Sequence, residues 1–85
     1  MAVKEEIIEV KSALYIKDYQ IRLFFNDGKC RVIDFGNFLK NSLNPMTRKY
    51  LKKSNFQNYG IKYGDLVWGD YEMCFPIWDL YEGKI

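Results

Sequence analysis

Histidine is absent from this 85-residue chain, which removes the side chain that most often serves as a general base near neutral pH and as a nitrogen ligand for zinc. Only two cysteines are present, Cys30 and Cys74. They are too few for a disulfide framework or a four-ligand zinc site, and both fall in strand-like runs where a free thiol behaves as a small apolar group. That usage predicts a reducing, cytoplasmic setting. No glycine-rich phosphate loop and no nucleophile with a paired base occurs, so the expectation is a non-enzyme with no cofactor and no metal. No apolar run approaches the roughly 20 residues of a membrane span. Lys4, Glu5 and Glu6 stand where a leader peptide would be apolar, so no membrane association is expected.

Acidic residues are missing from a whole third of the chain. Between Gly36 and Gly64 lie Lys40, Arg48, Lys49, Lys52, Lys53 and Lys62 with no Asp or Glu, although the total is 13 basic against 11 acidic residues. The middle therefore carries six positive charges and the flanks a net four negative, so the centre and the ends set up opposite fields.

What the chain does contain is apolar and aromatic mass. Hydrophobic residues make up 48% and aromatics 18%, enough for a core in a chain that removes only roughly 60 to 65% of its unfolded surface from water. Residues 1–85 are expected to form one domain.

The strongest local signal is Tyr19 to Phe35, where two alternating patterns meet at Asp27-Gly28. A two-residue Asp27-Gly28 loop would pair Phe25 with Cys30, Leu23 with Val32 and Ile21 with Asp34; a three-residue loop would pair Leu23 with Arg31, and the two-residue form is preferred. A Lys17-Asp18 loop would extend the sheet backwards, setting Val10 opposite Phe25, Ser12 opposite Leu23, Leu14 opposite Ile21 and Ile16 opposite Tyr19. The other face is mixed, with Phe24, Ile33 and Phe35 among polar residues, and calls for cover from the following helices or a second chain. Further on, Gly64-Asp65 and Gly69-Asp70 read as turns of a second, shorter meander, with Trp68 between Ile61 and Tyr71.

Between the meanders, Gly36 to Leu43 reads as a short helix capped by Asp34 or Asn37. Asn44-Pro45 starts another, with Met46, Tyr50 and Leu51 as its buried stripe and Arg48, Lys49, Lys52 and Lys53 on the opposite face. Pro76 opens a last helix with Ile77, Leu80 and Tyr81 on one stripe, stopped by Gly83, and with Trp78 off the stripe. The expected class is α+β: two short antiparallel β-meanders, a helical insert between them and a short C-terminal helix.

These motifs resemble a known pattern. Phe25 to Gly28 as F-x-D-G, Arg31 to Phe35 as R-x-x-D-F, Val67-Trp68, and the closing Pro76 with Leu80-Tyr81-Glu82 are similar, in order and spacing, to the bacterial domain-of-unknown-function 2442 family. The resemblance covers most of the chain after Asp18. It implies a small mixed domain, sometimes found beside a helix-turn-helix segment, with no established activity. Tyr71 and Met73 stand where the family carries glycine and aspartate after the tryptophan, and one extra residue separates Pro76 from Leu80.

Two surfaces stand out as candidates for function. The stripe of Arg48, Lys49, Lys52 and Lys53, with tyrosines interleaved, would hold phosphates or an acidic protein, or would simply solvate a helix and complement its dipole. Tyr71, Phe75 and Trp78 form an aromatic group of the kind that anchors protein interfaces, or packs into the core. The acid pairs Asp70 with Glu72 and Asp79 with Glu82 read as structural. The leading expectation is a non-enzymatic interaction or regulatory module that binds a protein partner through Arg48, Lys49, Lys52, Lys53, Tyr71 and Trp78, as an inhibitor encoded by a phage or mobile element would. The alternative is nucleic-acid binding, or a DNA-associated accessory role, through residues 48–53. An exposed strand edge leaves room for a homodimer.

Overall fold

The computed structural model describes residues 7–85; Lys4, Glu5 and Glu6, invoked above, lie outside the described residues. The architecture is α+β, with two three-stranded antiparallel sheets, short helices between them and a C-terminal helix. The first sheet is β1 (Val10–Lys17), β2 (Gln20–Phe25) and β3 (Cys30–Asp34), in that order. The second is β4 (Tyr59–Lys62), β5 (Asp65–Trp68) and β6 (Met73–Cys74).

The β2–β3 hairpin takes the register that the sequence reading set aside. Leu23 pairs with Arg31 and Ile21 with Ile33. A two-residue Asp27-Gly28 loop would place both residues at positive φ, but only Gly28 goes there, at φ 92°. The Phe25 carbonyl accepts from Gly28 N at 3.1 Å, and Phe25 N donates to the Lys29 carbonyl at 2.8 Å. This is a three-residue loop with glycine at the left-handed position, which spares a side-chain-bearing residue that strain. The consequence is that Ile33 faces the core and Val32 the outside. Asp34, expected on the apolar face, is exposed. Its carboxylate accepts from Gly36 N at 2.8 Å, but the N-cap of the helix that follows is Phe35, with no side-chain cap bond, so neither Asp34 nor Asn37 is the cap expected there.

In β1 the pairing of Val10 with Phe25 holds, but irregularities after Val10 and after Tyr15 slip the remainder by one residue. Each such bulge exchanges the faces. Ala13 and Tyr15 therefore pack against the core, while Leu14 and Ile16, expected inside, are exposed.

In the second sheet both loops differ from expectation but shift the register by two, which keeps Leu66, Trp68 and Met73 inward. Ile61, Tyr63 and Tyr71, expected on that core face, are exposed because the shift moves them to the strand end and the turns, and Val67, expected on the other face, is buried. Tyr63-Gly64 forms the first turn, with φ 52° and 80°, and Trp68 pairs with Tyr59 and Met73 instead of Ile61 and Tyr71. Tyr71 lies in the second turn, at φ 58°.

The helical insert comprises α1 (Gly36–Asn41), α2 (Pro45–Arg48), a 3₁₀ turn (Lys49–Leu51) and α3 (Lys53–Phe56). Asn44 caps α2 as expected, accepting from Met46 N at 2.9 Å. The single long helix expected from Pro45 onward is broken at Lys52, whose ψ of 117° is extended. Along one continuous helix Tyr50 and Phe56 would point about 120° apart. The break lets both reach Trp68, whose ring lies 6.4 Å from Tyr50 and 5.6 Å from Phe56. Met46, expected in the buried stripe, is 49% exposed.

The last helix, α4 (Ile77–Glu82), follows Pro76 as predicted. Gly83, at φ 74°, ends it: Gly83 N donates to the Leu80 carbonyl and Lys84 N to that of Asp79, the Schellman arrangement. The core is one cluster of strand and helix residues centred on rings. Phe35 lies 5.4 Å from Trp68 and 5.1 Å from Phe75, and the buried indole donates to the Phe56 carbonyl at 2.7 Å, so the one polar atom of Trp68 is satisfied.

Candidate interaction surfaces

Breaking the insert at Lys52 also breaks the basic stripe. The Arg48 guanidinium donates to the carbonyls of Lys40 and Ser42, both at 3.1 Å, holding the end of α1. Lys49 ion-pairs with Glu72 and lies over the Tyr50 ring. Lys53 pairs with Asp18 at 2.9 Å, across to the β1–β2 turn. Of the four side chains, only that of Lys52 has no hydrogen-bond or ion-pair partner among the described residues. Sequence alone gives no sign of these pairings, because the partners lie 23 and 35 positions away and meet only through the tertiary fold.

The aromatic group is likewise dispersed. Phe75 is buried against Phe35, Phe38 and Trp68. Tyr71 sits on the β5–β6 turn, where the Lys62 ammonium lies 5.7 Å from its ring. Trp78 is half exposed on α4, edge-to-face with Tyr81 at 5.4 Å. Tyr81 in turn packs on Phe25 and donates to Asp27 at 2.6 Å, joining α4 to the hairpin turn. Among the described residues no ring contact joins Tyr71 to Phe75 or Trp78.

Three of the four paired acids are held in contacts within the chain. Asp70 pairs with Lys62 at 3.3 Å and Glu82 with Lys84 at 3.0 Å. Glu72 accepts from Lys49 and, at 2.6 Å, from the Tyr50 hydroxyl, beside an open groove of about 510 Å³ that Asn55, Asn58 and Gly69 also line. The Lys49 ammonium and then the Tyr50 hydroxyl hold the Glu72 carboxyl below its ordinary range. Burial, and then the Glu72 contact, push the Tyr50 phenol up to about 12. These shifts predict both pH limbs. Glu72 contributes stability that is present above the usual glutamate range and is lost as acid protonates it. Tyr50 contributes stability that is present below pH 10 and is lost between about 10 and 12, where the unfolded phenol ionises first. Tyr50→Phe is therefore expected to flatten the alkaline limb of a urea-midpoint profile, and an unchanged limb would refute this linkage.

Among the described residues no three His, Cys, Asp or Glu side chains are grouped to hold a metal ion, and no helix is long and apolar enough to cross a membrane. Both cysteines are free and exposed.

A third surface comes from the slipped register. On the outer face of the first sheet Arg22 sits in the central strand, with Leu14 directly across on β1 and Val32 across on β3. One row along, Phe24 lies between Ser12 and Cys30. Leu14 is 56% exposed, Val32 44% and Phe24 36%, with Ile16 exposed nearby. The Arg22 side chain has no hydrogen-bond or ion-pair partner among the described residues. The mixed outer face expected from the sequence is present, but Ile33 and Phe35, expected on it, are buried, and Leu14 and Val32, expected inside, lie on it because the register differs by one.

The family described as protein of unknown function (DUF2442) matches this chain over residues 10–85. No curated protein and no solved structure matches it.

Proposed function

The chain belongs to the DUF2442 family, and from that premise we propose that it is a non-enzymatic module that binds a protein partner on the outer face of the first sheet. The observation that carries this reading is the row of Leu14, Arg22 and Val32 with Phe24 beside it, apolar side chains exposed around one unpaired cation. Contiguous exposed apolar side chains on a small folded domain favour association. Trp78 and Tyr71 offer further aromatic anchors. A phosphate-binding stripe has less support, because Arg48, Lys49 and Lys53 are engaged within the chain and Lys52 alone is left.

The test is photo-crosslinking in the native host. Benzoylphenylalanine at Leu14 is expected to give a discrete adduct with another protein, while the same group at Leu43, which is 92% exposed but away from the sheet in sequence, gives none. Absence of an adduct from position 14, or equal adducts from both positions, would overturn the proposal.

A further inference from the structure

Resting on that reading, we infer that the occupant of the outer face is an amphipathic helix of another protein, with its apolar stripe on Leu14, Phe24 and Val32 and a carboxylate on Arg22. Three features lead to this chemistry.

The first is charge. Each acid of the first sheet and its turns is engaged: Asp18 with Lys53, Asp27 with the Tyr81 hydroxyl, Asp34 with Gly36 N. Arg22, in the middle of the apolar row, has none of them. Covering it with apolar groups alone would bury an uncompensated cation, which costs several kcal/mol. A carboxylate can meet the guanidinium with two parallel hydrogen bonds and also fix the register of the docked element.

The second is geometry. The exposed groups are side chains on a face, so they suit an element that packs flat on a sheet. A strand would instead add to an edge. The β1 edge carries two irregularities within eight residues, and such bulges interrupt the ladder a new strand would extend. A helix laid on the sheet gives the two-layer arrangement common to α+β domains.

The third disfavours a second copy of this chain. Its own helices have four to six residues, and α4, the one with a regular apolar stripe, already turns Leu80 into the core. Among the described residues there is no spare amphipathic helix to offer. A face-to-face dimer with its two-fold axis near the row would set Arg22 against Arg22, a like-charge contact.

The experiment is a selection of displayed helical peptides, varied beside a fixed leucine stripe, on the folded full-length protein. Peptides enriched in Asp or Glu flanking the stripe are expected. Their affinity should fall at least about tenfold on Arg22→Glu and also on Leu14→Asp, with the circular dichroism of both exposed-site variants unchanged. Selection on Arg22→Glu should enrich Lys or Arg instead. Helices that bind without acidic bias but are lost on Leu14→Asp would overturn the inference and leave the interaction face standing. Failure to enrich any helix dependent on Leu14 would overturn it too, with the crosslink at position 14 then deciding the broader proposal independently. A solution dimer that shields Cys30 from alkylation while Cys74 still reacts would assign the face to a second copy and overturn it as well.

Discussion

Phe56→Ala should lower the stability of this protein by about 3 to 5 kcal/mol, whereas Met46→Ala should cost no more than about 0.5 kcal/mol. The contrast runs against the sequence pattern, in which Met46 opens an apolar stripe and Phe56 sits in the polar run Ser54-Asn55-Phe56-Gln57-Asn58. Phe56 is fully buried, with rings of Tyr15, Tyr19, Phe35 and Trp68 around it, and its carbonyl takes the indole proton. Truncation removes all those contacts and leaves a cavity between the two sheets. Because the whole stability of an 85-residue domain is about 4 to 13 kcal/mol, the variant should lose between about a quarter and all of it. Urea midpoints followed by tryptophan fluorescence measure both changes, and a Phe56→Ala midpoint close to that of Met46→Ala would contradict the packing described.

Ile33→Asp and Val32→Asp test the register of the hairpin in the same way. Ile33 is 4% exposed in the core cluster, so a carboxylate there has neither water nor a partner, and the cost should be about 4 kcal/mol or more. Val32 faces outward beside Arg22, and its replacement should cost at most about 1 kcal/mol, from the poorer strand propensity of aspartate. With the two-residue Asp27-Gly28 loop the order would invert, since Val32 would then face inward opposite Leu23. Soluble yield and the urea midpoint of the two variants decide between the registers. Val32→Asp should also reduce peptide binding at the outer face, because it removes an apolar contact and sets a competing acid directly across from Arg22.

Much of the fold was readable before the structure. The turns near Asp27-Gly28 and Gly64, the Asn44-Pro45 helix start, and the closing helix from Pro76 to Gly83 all rest on interactions within a few residues of each other, and each is found at or within a residue or two of its expected place. In the second sheet each loop error was an even number, so Leu66, Trp68 and Met73 stayed in the core, but Ile61, Tyr63 and Tyr71, expected beside them, are exposed and Val67, expected on the other face, is buried. In the first sheet a single-residue error exchanged the faces, hid the exposed row and put Asp34 inside. The basic stripe was misread for a different reason. It assumed one continuous helix, and the break at Lys52 is driven by two rings seeking the same indole.

The sequence by itself determined the element types, their order, the α+β class and the family, because hydrophobic period, caps and turn residues act locally. Only the tertiary structure decided the register of the first sheet, the breaking of the insert and the partners of Arg48, Lys49 and Lys53. These follow from packing Trp68 among Tyr50, Phe56 and Phe35, residues up to 33 positions apart whose meeting no local pattern encodes. The same packing left Leu14, Phe24 and Val32 outside around an unpaired Arg22, and that surface, legible in no short stretch of the chain, is where its function is proposed to lie.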